Sequence, residues 1–174
     1  LDAPVGMFQI AAVWGLGLSC AIFIAAEHSG AHLNPAITIA FAVFRDFPAG
    51  RVPGYIAAQL TGAFLAACAV FLLFNNSICA FEEASHITRG TAGSEASAMI
   101  FGEFFPDPGG KPLKESDLQR VSHLNALFAE FLGTLMLALV VFGFTARNNR
   151  SGPGPMTPIA IGIGLTTIIS VFAP

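Results

Sequence analysis

Residues Ser29–Phe44 read SGAHLNPAITIAFAVF, sixteen positions without a charge. The first half is polar and the second half apolar. Asn34 is a favoured N-cap, and Pro35 is favoured at the first helical position. Ala36–Phe44 therefore reads as a helix, but its nine residues reach only about 14 Å at 1.5 Å per residue. Hydrocarbon is roughly 30 Å thick, so this helix covers half a bilayer. Glu27 flanks the stretch on one side, and Arg45, Asp46 and Arg51 flank it on the other.

The surrounding chain is that of a membrane protein. Of its 174 residues 54% are hydrophobic and 11% charged, against about 25% charged in an ordinary soluble domain. The mean hydropathy is +0.69. A net charge of −3 argues against nucleic acid as a partner. Cys20 and Cys68 sit in apolar runs and Cys79 just past one. The three read as packing residues, with neither a disulfide framework nor a metal site. No basic segment precedes a short apolar core, so there is no signal-peptide pattern. The sequence starts at Leu1 and stops at Pro174 within an apolar run, and further protein is expected at both ends.

Four stretches are long and apolar enough to cross, over about 7–27, 54–76, 123–146 and 155–174. The third includes Glu130, which places a carboxylate within the bilayer. Gly15 with Ser19, and Gly62 with Ala66, have the small-xxx-small spacing of close helix contacts. The segments 45–53 and 147–154 are short and carry two arginines each, so both are expected on the cytoplasmic side. Two spans separate them, which requires the same. The acid-rich segment 75–122 is then external. Span 7–27 ends inside and span 54–76 starts inside, so 28–44 must leave and return on one face. It is expected to dip to mid-membrane as a re-entrant half-helix. Irregular backbone at that depth persists only where it is buried in protein or lines a wet cavity.

A helix N-terminus carries about half a positive charge, which at mid-membrane repels cations, hydronium included. Asn34 can cap the helix with its carbonyl and offer its amide hydrogens to a passing hydroxyl. Gly30, Ala31, His32 and Leu33 are expected to be extended, with carbonyls forming a ladder of acceptors. Such a path suits water and small polyols and suits ions poorly. On residues alone, a plain interfacial helix with a capping Asn is the alternative. His32 either donates to neighbouring backbone or acts as a pH switch. Gln59 reads as a helix-packing hydrogen bond. No nucleophile, phosphate loop or carboxylate pair is arranged for catalysis, so an enzyme is not expected, and no cofactor is called for.

The motif SGAHLNPAIT resembles the first pore-loop signature of the major intrinsic protein family, the aquaporins and glycerol facilitators. AAQLTGAFLAA looks like the third span of that family and AEFLGTLMLALVVFG like its fourth. The resemblance implies an all-α membrane protein: an aquaporin-like bundle of transmembrane helices with a re-entrant half-helix. It covers the chain from second to fifth span, as a single partial domain over 1–174. The first span, the second pore loop and the sixth span have no counterpart, so the bundle is expected to be incomplete. The pore motif falls on Asn34, Pro35 and Ala36.

The family also separates water from glycerol. Trp14, in VWGLGL, matches the second-span tryptophan of the glycerol facilitators; on residues alone it could equally be an interfacial anchor. Water-selective members carry a fifth-span histidine, and 155–174 has none. Counted back from Pro174, the filter position falls on Ile169, where glycerol facilitators often have glycine. HITRG, His86–Gly90, also looks like the glycerol branch. An intramembrane carboxylate such as Glu130 can be a proton relay; the resemblance implies instead a glutamate supporting the pore loop. The expectation is a passive channel for glycerol, other small neutral solutes and water, in a plasma-membrane homotetramer surrounded by lipid. A water-selective aquaporin is the nearest alternative. A junctional protein with a closed pore and an ion-coupled transporter are alternatives of other classes.

Overall fold

The computed structural model describes residues 6–106, 111 and 122–172. Its helices are α1 (Met7–Ser29), α2 (Pro35–Phe44), α3 (Val52–Ala84), α4 (Glu95–Ala98), α5 (His123–Phe144) and α6 (Thr157–Phe172). Short 3₁₀ turns, Ala49–Arg51 and Gly154–Met156, lead into α3 and α6. Among the described residues four helical stretches are long and apolar enough to cross a membrane, and Pro35–Phe44 is a shorter apolar helix. This is an all-α multi-pass membrane architecture with one half-length helix. Large apolar side chains such as Phe64, Leu72, Leu124 and Leu139 stand exposed. In water they would drive aggregation; in a bilayer the same faces meet lipid or further protein.

The helix that begins the second span runs past residue 76 to Ala84, so it takes the first turns of the segment expected to be external. Its 33 residues extend about 50 Å. Residues 75–84, NNSICAFEEA, contain neither Gly nor Pro to stop it. It ends at His86, whose φ of 53° is left-handed. Ile87 N–H donates to Glu82 O (2.8 Å) and His86 N–H to Glu83 O (3.2 Å), which closes the last turn. Of the external segment, residues 107–110 and 112–121 lie outside the described residues, as do 173–174 of the last expected span.

The contacts group into two compact units, Leu1–Gln59 with Ala129–Pro174, and Leu60–Phe128. In the first unit α1 and α6 are closely packed, with Ala11, Ser19 and Ile161 buried. Gly15 and Gly162 lie backbone to backbone: a Cβ on Gly162 would run into Ser19 Oγ and Gly15 O, and one on Gly15 into Thr166 Oγ1 and Gly162 O. Thr166 Oγ1 lies at 3.2 Å from Ala11 O and 3.0 Å from Gly162 O, so its hydroxyl is shared between the two helices. The small-residue pair Gly15 and Ser19 is thus the site of helix contact. Gly62 differs: a Cβ there would meet nothing within 4 Å.

In the second unit the Arg89 guanidinium lies 2.9 Å from the Glu82 carboxylate and packs on the Phe71 ring at 5.5 Å. With buried Ile78, Ala96 and Ser97, this ion pair ties the turn at Arg89–Gly90 and the short α4 to the end of α3.

Candidate functional site

The site lies in the first unit and is built around α2. The chain leaves α1 at Gly30, whose φ is 70° and whose N–H closes onto Ala26 O at 2.9 Å. A left-handed residue ends a helix at little cost only when it lacks a Cβ. The chain enters α3 a few residues after α2 ends, and there Tyr55 Oη donates to Ser29 O at 2.9 Å. This bond joins the exit of α1 to the first turns of α3. The segment between them is therefore an excursion that returns to its starting level.

The residues before Asn34 are not the extended run expected. Ala31 and Leu33 have φ of 48° and 52°, while Asn34 is extended, at φ −147° and ψ 131°. Four residues must turn the chain from the end of α1 into the start of α2, and an extended strand cannot do so. Left-handed alanine and leucine cost on the order of 1–3 kcal/mol each and persist only when their surroundings hold them. Ala31 N–H donates to Ser29 Oγ at 3.3 Å as part of that support. Among the described residues no donor is bonded to the carbonyls of Gly30, Ala31, His32 or Leu33, so their acceptor capacity remains open.

His32 also departs from expectation. It does not donate to nearby backbone. Its ring stacks on Phe41 (4.6 Å between centroids, 6° between planes) and meets Phe47 and Tyr55 at 4.7 and 5.2 Å. Its Nδ1 is buried with no partner among the described residues. The reason is local: two of the three rings carry no polar atom, and the Tyr55 hydroxyl is committed to Ser29.

Asn34 caps α2. Its Oδ1 accepts from Ala36 N–H at 2.7 Å and Ile37 N–H at 3.3 Å, with Pro35 filling the first helical position. Capping of this kind contributes about 1 kcal/mol. It consumes the carbonyl and leaves the Nδ2 hydrogens without a partner among the described residues, next to the positive end of the helix. Thr38, fully buried, donates its hydroxyl to Asn34 O at 3.0 Å and accepts from Gln59 Nε2 at 3.0 Å. Gln59 lies about 10 Å along α3 from Val52. The amino end of α2 is thus held well inside the length of α3.

The other end of α2 is held by Arg45. Its Nη2 donates to Phe142 O at 2.7 Å and its Nη1 to Thr145 O at 3.4 Å. The guanidinium also lies over the Phe142 ring at 4.9 Å, and Phe41 packs on the same ring at 4.9 Å. A cation on the last carbonyls of α5 satisfies acceptors that a helix end leaves open and suits its negative pole.

The remaining expected residues are dispersed. Trp14 is 63% exposed on α1, and Ile169 is half-buried on α6. Ala11 lies opposite Thr166 and Gly15 opposite Gly162. That register puts Ile169 about 9 Å along the axis from the level of Trp14. Glu130 is exposed on α5 and has no hydrogen bond among the described residues, so the pore-loop support expected of it is not made within them. Thr38, Phe47 and Tyr55 were not singled out from the sequence, and Arg45 was read only as a flanking charge. Two spacings carried a signal: Thr38 lies four residues after the cap, and Tyr55 and Gln59 share a face of α3 four residues apart.

A family model described as major intrinsic protein matches residues 2–174. The glycerol uptake facilitator protein of Pseudomonas aeruginosa is 36% identical over 172 residues, which is 99% of this chain and 57% of that protein. The glycerol uptake facilitator protein of Escherichia coli K12 is 34% identical over the same length, again 99% and 57%. A propanediol uptake facilitator of Salmonella typhimurium is 34% identical over 166 residues, 95% of this chain and 58% of that protein. The chain thus spans somewhat over half the length of these relatives.

Proposed function

The chain belongs to the major intrinsic protein family, and on that footing we propose that its function is passive conduction of glycerol and other small neutral solutes, with water, across the cell membrane. One observation carries the reading above the others. The carbonyl of Asn34 is spent on capping a half-length helix, which leaves its amide hydrogens as donors at the helix's positive end. A hydroxyl can accept from Asn34 Nδ2 while donating its one hydrogen to one of the open carbonyls of Gly30, Ala31, His32 and Leu33. The positive pole repels cations. A neutral polyol exchanges its water hydrogen bonds for these at small net cost, whereas an ion finds no compensating charge.

Trp14 and Ile169 are the filter residues in this reading. The indole face carries the carbon side of the polyol, and the isoleucine keeps the bore apolar. Glu130 supports the second pore loop. The working assembly is a homotetramer in the lipid of the plasma membrane, one conduit per subunit, and needs no cofactor. The likeness to a propanediol uptake facilitator favours small diols as further substrates.

The test is swelling of liposomes carrying the full-length protein under an inward gradient of glycerol or propane-1,2-diol. Swelling well above that of empty vesicles is expected for both. Rapid water flux without solute entry would establish a water-selective channel instead. Vesicles indistinguishable from empty ones would point to a closed, structural protein.

A further inference from the structure

We propose that Gln59 and Thr38 form a positioning relay that aims the amide hydrogens of Asn34 into the conduit; the proposal rests on the conduction reading above. Four bonds define the relay. Gln59 Nε2 donates to Thr38 Oγ1 (3.0 Å), Thr38 Oγ1 donates to Asn34 O (3.0 Å), and Asn34 Oδ1 accepts from Ala36 and Ile37 N–H (2.7 and 3.3 Å).

The direction of each bond follows from the donor inventory. Thr38 has a single hydroxyl hydrogen and spends it on Asn34 O, so its oxygen can only accept from Gln59. Gln59 must then present its NH₂ and not its carbonyl. In this orientation Gln59 Oε1 is buried without a partner among the described residues. The Asn34 backbone oxygen accepts both the Thr38 N–H and the Thr38 hydroxyl, at 3.0 Å each, which ties the cap residue to the first turn of α2; the two bonds to Oδ1 then fix its side-chain torsions, and Nδ2 is left with one direction. The relay starts on α3 and ends at the helix cap, and Thr38 is fully buried, so water cannot replace either bond. Neither Gln59 nor Thr38 needs to touch the solute.

The role differs from plain packing because it depends on which atoms are donors. Thr38→Val keeps the shape and removes the relay. Thr38→Ser keeps the hydroxyl and removes a methyl. Gln59→Glu keeps the shape and, when ionised, sets a carboxylate acceptor against a hydroxyl already spent on Asn34; when protonated, it donates again.

The experiment measures glycerol flux of the full-length protein in liposomes, normalised to correctly folded protein. Thr38→Val and Gln59→Leu each lower flux about fivefold, the scale of one lost buried hydrogen bond, and the double variant is no slower than either. Thr38→Ser stays near wild type. Flux through Gln59→Glu rises as the pH falls, while wild type stays flat over the same range. A Thr38→Val channel at wild-type speed overturns the relay. So does a Thr38→Ser channel as slow as Thr38→Val, or a flat pH profile for Gln59→Glu. Wild-type vesicles that admit no glycerol overturn the conduction reading itself; conducting wild type with unaffected variants overturns the relay alone.

Discussion

Replacing Gly162 with alanine tests whether the α1–α6 contact is as close as described. A Cβ at Gly162 would collide with Gly15 O and Ser19 Oγ, with Gly15 C at 3.1 Å behind them. Ser19 is buried, and its hydroxyl is fixed by donation to Gly15 O at 3.0 Å, so it cannot swing clear. Ordinary contact between such atoms lies near 3.5 Å, so the helices must part by about 1 Å. A gap of that size forfeits a quarter to a half of each dispersion contact along the crossing. Overpacking of this kind costs about 1–3 kcal/mol. It is opposed by the better helix propensity of alanine, about 1 kcal/mol. Gly133→Ala is the control, because its Cβ would meet only Ile168 Cγ2 at 3.7 Å, an ordinary contact. Thermal unfolding of the full-length protein in detergent should rank Gly133→Ala at or above wild type and Gly162→Ala clearly below. Equal midpoints for the two variants would refute the backbone-to-backbone contact.

Arg45→Leu strips the final carbonyls of α5 of their donor and should destabilise by about 1–3 kcal/mol. Arg45→Lys, with one point of donation in place of a fork, should fall between; thermal unfolding orders the three. Asn34→Asp keeps the capping oxygen and loses the amide hydrogens. Its unfolding midpoint should stay near wild type while glycerol flux falls at least tenfold, whereas Asn34→Ala loses both flux and about 1 kcal/mol of capping. Arg89→Ala removes the ion pair with Glu82, and backbone amides of 87–98 should exchange faster with deuterium while those of α1 and α6 stay unchanged. Retained protection there would show that α4 is held without the pair.

The half-helix was readable because its signals are local. An Asn-Pro pair at the start of a nine-residue apolar run is a cap, a first position and a length, and all three are properties of adjacent residues. The four long helices were readable for the same reason, since hydropathy is summed along the chain. The span expected over about 54–76 concerns where lipid stops, and the helix itself runs on to Ala84. With no Gly or Pro over 75–84, backbone hydrogen bonds continue into polar sequence. The extended conformation assigned to Gly30–Leu33 failed because propensity contains no information on how sharply the chain must turn between two fixed helix ends.

Composition and local order alone determined a membrane protein, the places where its helices begin, and the residue that caps the short one. Tertiary structure decided the direction of each polar group. Arg45 was a flanking charge until the end of α5 came within reach, and Gln59 was a packing residue until Thr38 faced it across α2 and α3. His32 was a donor in search of backbone until three rings enclosed it. Hydropathy is a sum over neighbours in sequence and survives without a fold. A hydrogen bond between residues 21 or 97 positions apart needs two helices placed to within a few tenths of an ångström. Only packing, through contacts such as Gly15 against Gly162, sets that distance.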